Sequence, residues 1–357
     1  SPLLKQKIIE KMEENGGRVT FADYMKLSLY LSPGGQSAGG YYMSSVNIAF
    51  EREERDFYDG RTFPTDAERP DVAKALARQI IKFWEEMGKP SKFDLVEMGA
   101  GSGTLAVSLQ NVIKRENPDC AKAVRYKIVE ISPFLIRKQR EKTDSQHNNM
   151  LWINASASEL PFKENSIEGV FLSNELIDAF PVHRVRNMGG VLGEIYVSYS
   201  RKEGRFFEEL GNISSKEIEG YFEITEKRPS ANKESAVNLA MLNWQKEIYR
   251  VLKRGFVISS DYGFPRIGER WIRFTLPSVW NFSGRNIFEQ VGIDITSHVD
   301  FETLRRYGEA IGLTTEYLGD FERYLSMFAL AINLISTDVL VQSKNMEAAF
   351  QPTASSP

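Results

Sequence analysis

Apolar positions Leu4, Ile8, Ile9 and Met12 recur at helical spacing, and Asn15-Gly16-Gly17 ends that pattern. Residues 20–31 repeat it, with Thr20 or Asp23 as the cap. Pro70 opens a third predicted helix that runs to about Met87. From Phe93 the pattern changes to short, nearly continuous apolar runs separated by helical stretches. F-D-L-V-E-M (93–98) predicts a strand, and T-L-A-V-S-L-Q-N-V-I a helix directly after the intervening glycines. Y-K-I-V-E (126–130) predicts a second strand, followed by a basic helix to about Lys142. M-L-W-I-N-A (150–155), I-E-G-V-F-L-S-N-E (167–175) and F-V-I-S-S-D-Y-G (256–263) predict three more.

Residues 183–209 interrupt this rhythm, alternating around Gly189-Gly190 as a hairpin does. A long helix is predicted from about Ser235 to Leu252, stopped by Lys253-Arg254-Gly255. Another begins near Asp300, and the chain after Lys344 is polar. Strands alternating with helices mean an α/β fold with a mostly parallel, doubly wound sheet. In such sheets ligands sit beyond the carboxyl ends of the strands, so the residues just after each strand are the ones to inspect.

Composition narrows the function classes. Apolar content is 42% and charged content 26%, ordinary for a chain that folds around its own core. A net charge of −3 offers no general attraction for nucleic acid. The single cysteine, Cys120, cannot form an internal disulfide or a thiolate metal cluster. The 3 histidines show no H-x-x-x-H spacing, so no metal site built on histidines is expected, and a mixed site of His298 with Asp300 or Gln290 is the alternative. No run approaches the ~18 apolar residues of a membrane helix. The chain begins Ser-Pro, which leaves a removed leader open.

The first predicted strand ends in E-M-G-A-G-S-G, with Glu97 ahead of Gly99, Ala100, Gly101, Ser102 and Gly103. A dinucleotide fingerprint would read G-x-G-x-x-G with an acid about 20 residues later. Here the spacing is G-x-G-x-G, an acid precedes the loop, and the next strand-end acid, Glu130, comes roughly 30 residues on. Both departures favour S-adenosyl-L-methionine, which carries a sulfonium and an amino-acid end but no pyrophosphate. Glu130 is expected to take the two ribose hydroxyls through charge-assisted hydrogen bonds, with Ile131 beside it. Ala155 and Ser156 are expected near the adenine, and Ser173 at the end of the fourth strand completes the cofactor set.

That fourth strand runs into S-N-E-L-I-D-A-F-P-V-H (173–183). Asn174 and Glu175 stand where the transferred methyl would be. A helical turn would bring Asp178 to the same side as Glu175, and paired carboxylates suit a cationic nitrogen. His183, Asp261 and His298 are further candidates for acid–base or acceptor contacts. Tyr24, Tyr30, Tyr41 and Tyr42 flank a glycine-rich loop (32–42) and are expected to form a lid that excludes water.

Taken with F-A-D-Y-M-K-L-S-L-Y (21–30), G-Y-Y (40–42), D-F-Y (56–58), V-E-I-S-P-F-L-I-R-K-Q (129–139), D-Y-G (261–263) and D-I-T-S-H-V-D-F-E-T-L (294–304), these motifs resemble the MidA-like methyltransferase family. That family includes the mitochondrial arginine methyltransferase needed for complex I assembly. The resemblance implies a Rossmann-like class I methyltransferase core with an N-terminal helical cap and an inserted α+β lobe. The divisions it suggests are a cap at 1–70, a cofactor-binding core at 71–182, an inserted lobe at 183–234, core completion with an acceptor-side lobe at 235–345, and a tail at 346–357. It also implies arginine methylation in a protein partner. A small-molecule carbon or oxygen acceptor, metal-assisted or not, and an assembly factor acting by binding are the alternatives. No nucleic acid or membrane is expected, and a homodimer stays open. The cytoplasm fits a prokaryotic chain and the mitochondrial matrix a processed eukaryotic one. The chain departs from the family pattern in its expanded loop at 31–42 and in a histidine-free stretch at 270–287, where an acceptor would bind.

Overall fold

The computed structural model describes residues 1–32, 39–43, 69–143, 150–226, 228–264, 288, 291–328 and 338–346. Residues 44–68 with the D-F-Y motif (56–58), most of the glycine-rich loop (33–38), the stretch at 270–287 and the tail from 347 lie outside the described residues.

The chain opens with helix α1 (Pro2–Glu14), strand β1 (Arg18–Thr20) and helix α2 (Phe21–Tyr30). Thr20 caps α2, its side chain accepting from the Asp23 backbone N–H. The core follows as α3 (Pro70–Glu86), β2 (Phe93–Met98), α4 (Thr104–Glu116), α5 (Pro118–Ala123), β3 (Val124–Glu130), α6 (Pro133–Thr143), β4 (Met150–Asn154) and β5 (Ile167–Asn174). Next come β6 (His183–Met188), β7 (Val191–Ser200), β8 (Arg205–Asn212), α7 (Glu217–Thr225) and β9 (Glu234–Val237). The remainder is α8 (Leu239–Val251), β10 (Leu252–Asp261), β11 (Gly263–Phe264), β12 (Val299–Asp300), α9 (Phe301–Ile311), β13 (Thr314–Asp320), α10 (Phe321–Ser326) and β14 (Asp338–Lys344).

The main sheet has 7 strands in the order β13-β14-β10-β5-β2-β3-β4. The run from β10 to β4 is parallel, whereas β14 pairs antiparallel with both β10 and β13. Strand order reverses between β2 and β5, and a crevice at such a reversal is where open α/β sheets bind ligands. All six residues of β2 are buried, as a strand covered on both faces requires. Helices α3 and α4 pack on one face through Leu76, Ile80, Phe83 and Leu109; Trp244 and Ile248 of α8 cover the other.

Two boundaries differ from expectation. The helix predicted from Ser235 begins at Leu239, because Glu234–Val237 extends the second sheet beside β6 and Asn238 then caps α8. Lys253-Arg254-Gly255 does not stop that helix either. These residues lie inside β10, where the register against β5 shifts between Leu252 and Arg254.

The second sheet joins the two ends of the inserted segment to the start of the chain. Strand β7 pairs with β6 and β8, and β1 pairs with β7 through Val19 opposite Val197. Arg184 holds this sheet to α2: its guanidinium lies over the Phe21 ring, 4.7 Å from the centroid, and pairs with Glu208 and Glu234. Tyr24 is fully buried here, edge-on to Phe206 with ring centroids 5.4 Å apart. It belongs to the core of this unit and forms no lid, because the face of α2 that carries Phe21, Tyr24, Met25 and Leu29 turns toward the sheet. Among the described residues no helix is long and apolar enough to cross a membrane.

Candidate active site

Beyond β2 the backbone makes three left-handed steps, at Gly99, Gly101 and Gly103, with φ of 67°, 50° and 74°. A side chain on Gly99 would come within 2.8 Å of Leu176 Cδ1, so glycine here lets the loop after β5 close over the loop after β2. Gly99 N–H bonds to the Val129 carbonyl at 3.0 Å, tying the loop to β3. Ser102 Oγ lies 2.6 Å from Thr104 Oγ1 at the start of α4.

Two buried carboxyls flank this loop. Tyr126 Oη donates to Glu97 at 2.5 Å. Burial pushes Glu97 up to about 7, the Tyr126 phenol opposing and Glu130 adding to the rise. Burial likewise pushes Glu130 up to about 7, eased by donors from Ser132, Gln139 and Ile131. Ser132 N–H lies 2.9 Å from Glu130 Oε1. Asn154 Nδ2 fixes the backbone around this acid, donating at 3.0 Å to the carbonyls of Glu130 and Ile131. Ala155 follows directly, its N–H bonded to the Glu130 carbonyl, and Ser156 Oγ accepts from Ser158 N–H. Ser173 Oγ, at the end of β5, is buried without a hydrogen-bond partner. A close-approach glycine loop, an orphaned hydroxyl and two carboxyls kept from water suit a ligand with a cationic centre and vicinal hydroxyls.

On the far side of the β2/β5 crevice, Glu175 takes a left-handed backbone, φ 49°, unusual for a residue with a side chain. Its N–H bonds to the Ser260 carbonyl, and Ser260 Oγ donates to Asn174 Oδ1 at 2.8 Å. Asp178 sits in a single 3₁₀ turn, Ile177–Ala179, rather than an α-helical turn. Four separate segments hold that turn. Asp261 accepts from the N–H groups of Ile177 and Asp178, Asn238 donates to the Ile177 carbonyl, Ser297 N–H to the Asp178 carbonyl, and Tyr30 Oη to the Ala179 carbonyl.

Asp178 is held well above the usual carboxylate range, first by burial and then by the charges of Asp261, Asp294 and Glu175. Asp261 rises to about 7 through burial, opposed by backbone donors from Tyr262, Asp178, Ile177 and Leu176. Asp294, which the motifs do not single out, rises to about 7 through burial and accepts a hydrogen bond from Tyr42; its Oδ1 is buried without a partner. Among the described residues none of Asp178, Asp261 and Asp294 forms an ion pair.

Three of the expected tyrosines gather here. Tyr30 and Tyr42 stack with centroids 5.5 Å apart, and Tyr41 stands edge-on to Tyr42 at 4.9 Å. Tyr30 Oη is bonded to the Ala179 carbonyl at 2.8 Å, and its phenol feels the charges of both Asp178 and Glu130. His183 is engaged elsewhere, in the second sheet. Its Nδ1 lies 2.7 Å from Glu194, a fully buried carboxylate that also accepts from Ser214 N–H. His298 directly precedes β12, and burial lowers its pKa.

Comparison with known proteins agrees with this geometry. A family model described as "Putative S-adenosyl-L-methionine-dependent methyltransferase" matches residues 75–318. The chain is 24% identical over 324 residues to "Protein arginine methyltransferase NDUFAF7 homolog, mitochondrial" of Drosophila melanogaster, covering 83% of this chain and 68% of that protein. It is 23% identical over 368 residues to the corresponding protein of Xenopus laevis, covering 92% and 74%. The match to the Caenorhabditis elegans protein covers 46% of that relative's length. Two solved structures from Burkholderia thailandensis share the fold. One has a TM-score of 0.77 and 22% identity over 97% of this chain and 92% of its own. The other, crystallised with S-adenosyl-homocysteine, has a TM-score of 0.75 and 23% identity over 97% and 93%. With more than half of its length matched by that model, the chain belongs to this S-adenosyl-L-methionine-dependent methyltransferase family.

Proposed function

We propose that the chain methylates a side-chain nitrogen of arginine in a protein partner. The observation that carries this reading is the group of carboxyls Glu175, Asp178 and Asp294 beside stacked tyrosines, at the edge of the cofactor crevice. Asp178 and Asp294 are buried with no ion pair among the described residues, a costly state for a carboxylate, and a guanidinium would supply a charge and a donor fork. The names of the fly and frog relatives point the same way.

S-adenosyl-L-methionine supplies an electrophilic methyl on a sulfonium. Glu130 and Ile131 would hold the ribose, Ala155 and Ser156 the adenine side, and Glu97 with residues 99–103 and Ser173 the amino-acid end. Arginine remains protonated at neutral pH, with its lone pair delocalised (pKa above about 12). Glu175 and Asp178 would accept N–H donors from two guanidinium nitrogens, localise positive charge away from the third and orient it in line with the methyl. Glu175 would then receive the proton that the methylated nitrogen releases. Tyr30, Tyr41 and Tyr42 would exclude water from the transfer.

The test is incubation with methyl-labelled S-adenosyl-L-methionine and cell extract, followed by amino-acid hydrolysis of the labelled protein. Label in methylated arginine supports the reading. Label only in small molecules would replace it with the small-molecule alternative. Binding without label anywhere would favour an assembly factor.

A further inference from the structure

Gln139 has no part in the chemistry described so far, yet it touches three residues assigned to the cofactor. It lies on α6 and is completely buried. Its Nε2 donates to the Gly101 carbonyl at 3.0 Å and to Glu130 Oε2 at 3.4 Å. Its stem packs against Gly103, where an added Cβ would lie 3.3 Å from Gln139 Cγ. Its other amide atom, Oε1, is buried without a partner. The side chain cannot relieve this by flipping, since that would set Oε1 against a carbonyl and a carboxylate, both acceptors. The amide therefore keeps two donor bonds and leaves a buried acceptor unsatisfied, a costly state.

We infer that Gln139 is a positioning residue of the cofactor site: it locks the glycine loop and the ribose-binding acid into one rigid receptor before the cofactor arrives. This rests on Glu130 being the ribose acid. A donor at 3.0 Å on the loop carbonyl fixes the height of Gly101, and the same nitrogen fixes the rotation of the Glu130 carboxylate. Without it the two elements order separately, and binding bears that cost. Among the described residues, the other titratable groups that feel Glu130 are the Glu97 carboxyl, itself held by Tyr126, and the Tyr30 phenol.

Titration calorimetry of the whole chain with S-adenosylhomocysteine tests this, using Q139M, which keeps length and volume but donates nothing, with E130Q and the double variant. Q139M is expected to bind about tenfold more weakly, as loss of one charge-assisted hydrogen bond gives. In the E130Q background the same change is expected to cost less than about threefold, because the partner charge is already gone. The fall in affinity toward acid is expected at higher pH in Q139M than in the parent, since the amide donor favours ionised Glu130, and this displacement is expected to vanish in the E130Q background, where the Glu97 share of the fall alone remains. Parental affinity in Q139M would overturn the inference, as would an equal loss in both backgrounds with an unmoved pH profile. If Q139M does not fold, Q139E serves, and parental binding at pH 8 in that variant overturns it equally. If E130Q binds like the parent, it is the assignment of Glu130 that fails.

Discussion

The two sides of the β2/β5 crevice are built differently. On the proposed cofactor side, Glu97 and Glu130 stand at the ends of adjacent strands, and each already has a protein donor, Tyr126 for one and Ser132 with Gln139 for the other. On the proposed acceptor side, Asp178 and Asp294 come from distant segments and have no ion pair among the described residues, and Asp178 sits in a short turn held from four directions. One side has donors on both of its acids before any ligand arrives; the other has no cation against Asp178 or Asp294 among the described residues. A prebuilt receptor favours tight binding, whereas unneutralised carboxyls favour selection among acceptors by charge.

Substitutions that act on one side alone separate the two most sharply. Glu175→Gln should lower turnover by at least about 100-fold, a loss typical of groups that stabilise transition-state charge. Calorimetry should show its S-adenosylhomocysteine affinity unchanged, and equal losses in both would merge the two sides. Glu130→Ala should do the converse, weakening S-adenosylhomocysteine about thirtyfold through loss of two charge-assisted bonds. Once acceptor and cofactor saturate it, its turnover should stay near parental.

Asp294→Asn should raise the acceptor KM about fivefold with little change in kcat, as removal of uniform binding does. Steady-state kinetics at several acceptor concentrations read this directly.

The smallest effect is on stability. Glu97, Glu130 and Asp294 have folded pKa values raised to about 7, so between their unfolded values near 4 and pH 7 the folded chain binds more protons than the unfolded one. Their contribution therefore favours folding most at low pH and is lost as pH rises through 7. Thermal melts of the ligand-free chain should show Tm falling from pH 6 to pH 8, with a shallower slope in Glu97→Gln. Saturating S-adenosylhomocysteine should flatten the Glu130 share and leave that of Asp294.

The same contrast explains what is legible in the sequence. The cofactor side rests on strand–loop–helix units of about a dozen residues, and a local pattern of apolar runs, acids and glycines is enough to place Glu97, Gly99 and Glu130. The acceptor side rests on tertiary meetings. Asp294 joins Asp178 through the Ser297 N–H, and nothing in the spacing of D-I-T-S-H-V-D marks its first residue above His298. Tyr126 and Gln139 are equally silent, one inside an apolar strand and the other in a basic helix, because a buried donor shows itself only through its partner. Tyr24 misleads for the opposite reason: it neighbours the lid in sequence, while its helix face turns inward to Phe206. The segment at 235–237 reads as helix until β6 offers it a strand partner.

The pairing of β1 with β7 has a consequence for how the molecule is made. Tyr24 and Val19 find their partners at Phe206 and Val197, so the first thirty residues cannot bury their apolar face when they leave the ribosome. At about 5–20 residues per second, they wait some tens of seconds or less for the middle of the chain. Helix α2, with its row of Phe21, Met25 and Leu29, is therefore a stretch of the nascent chain that a chaperone would protect.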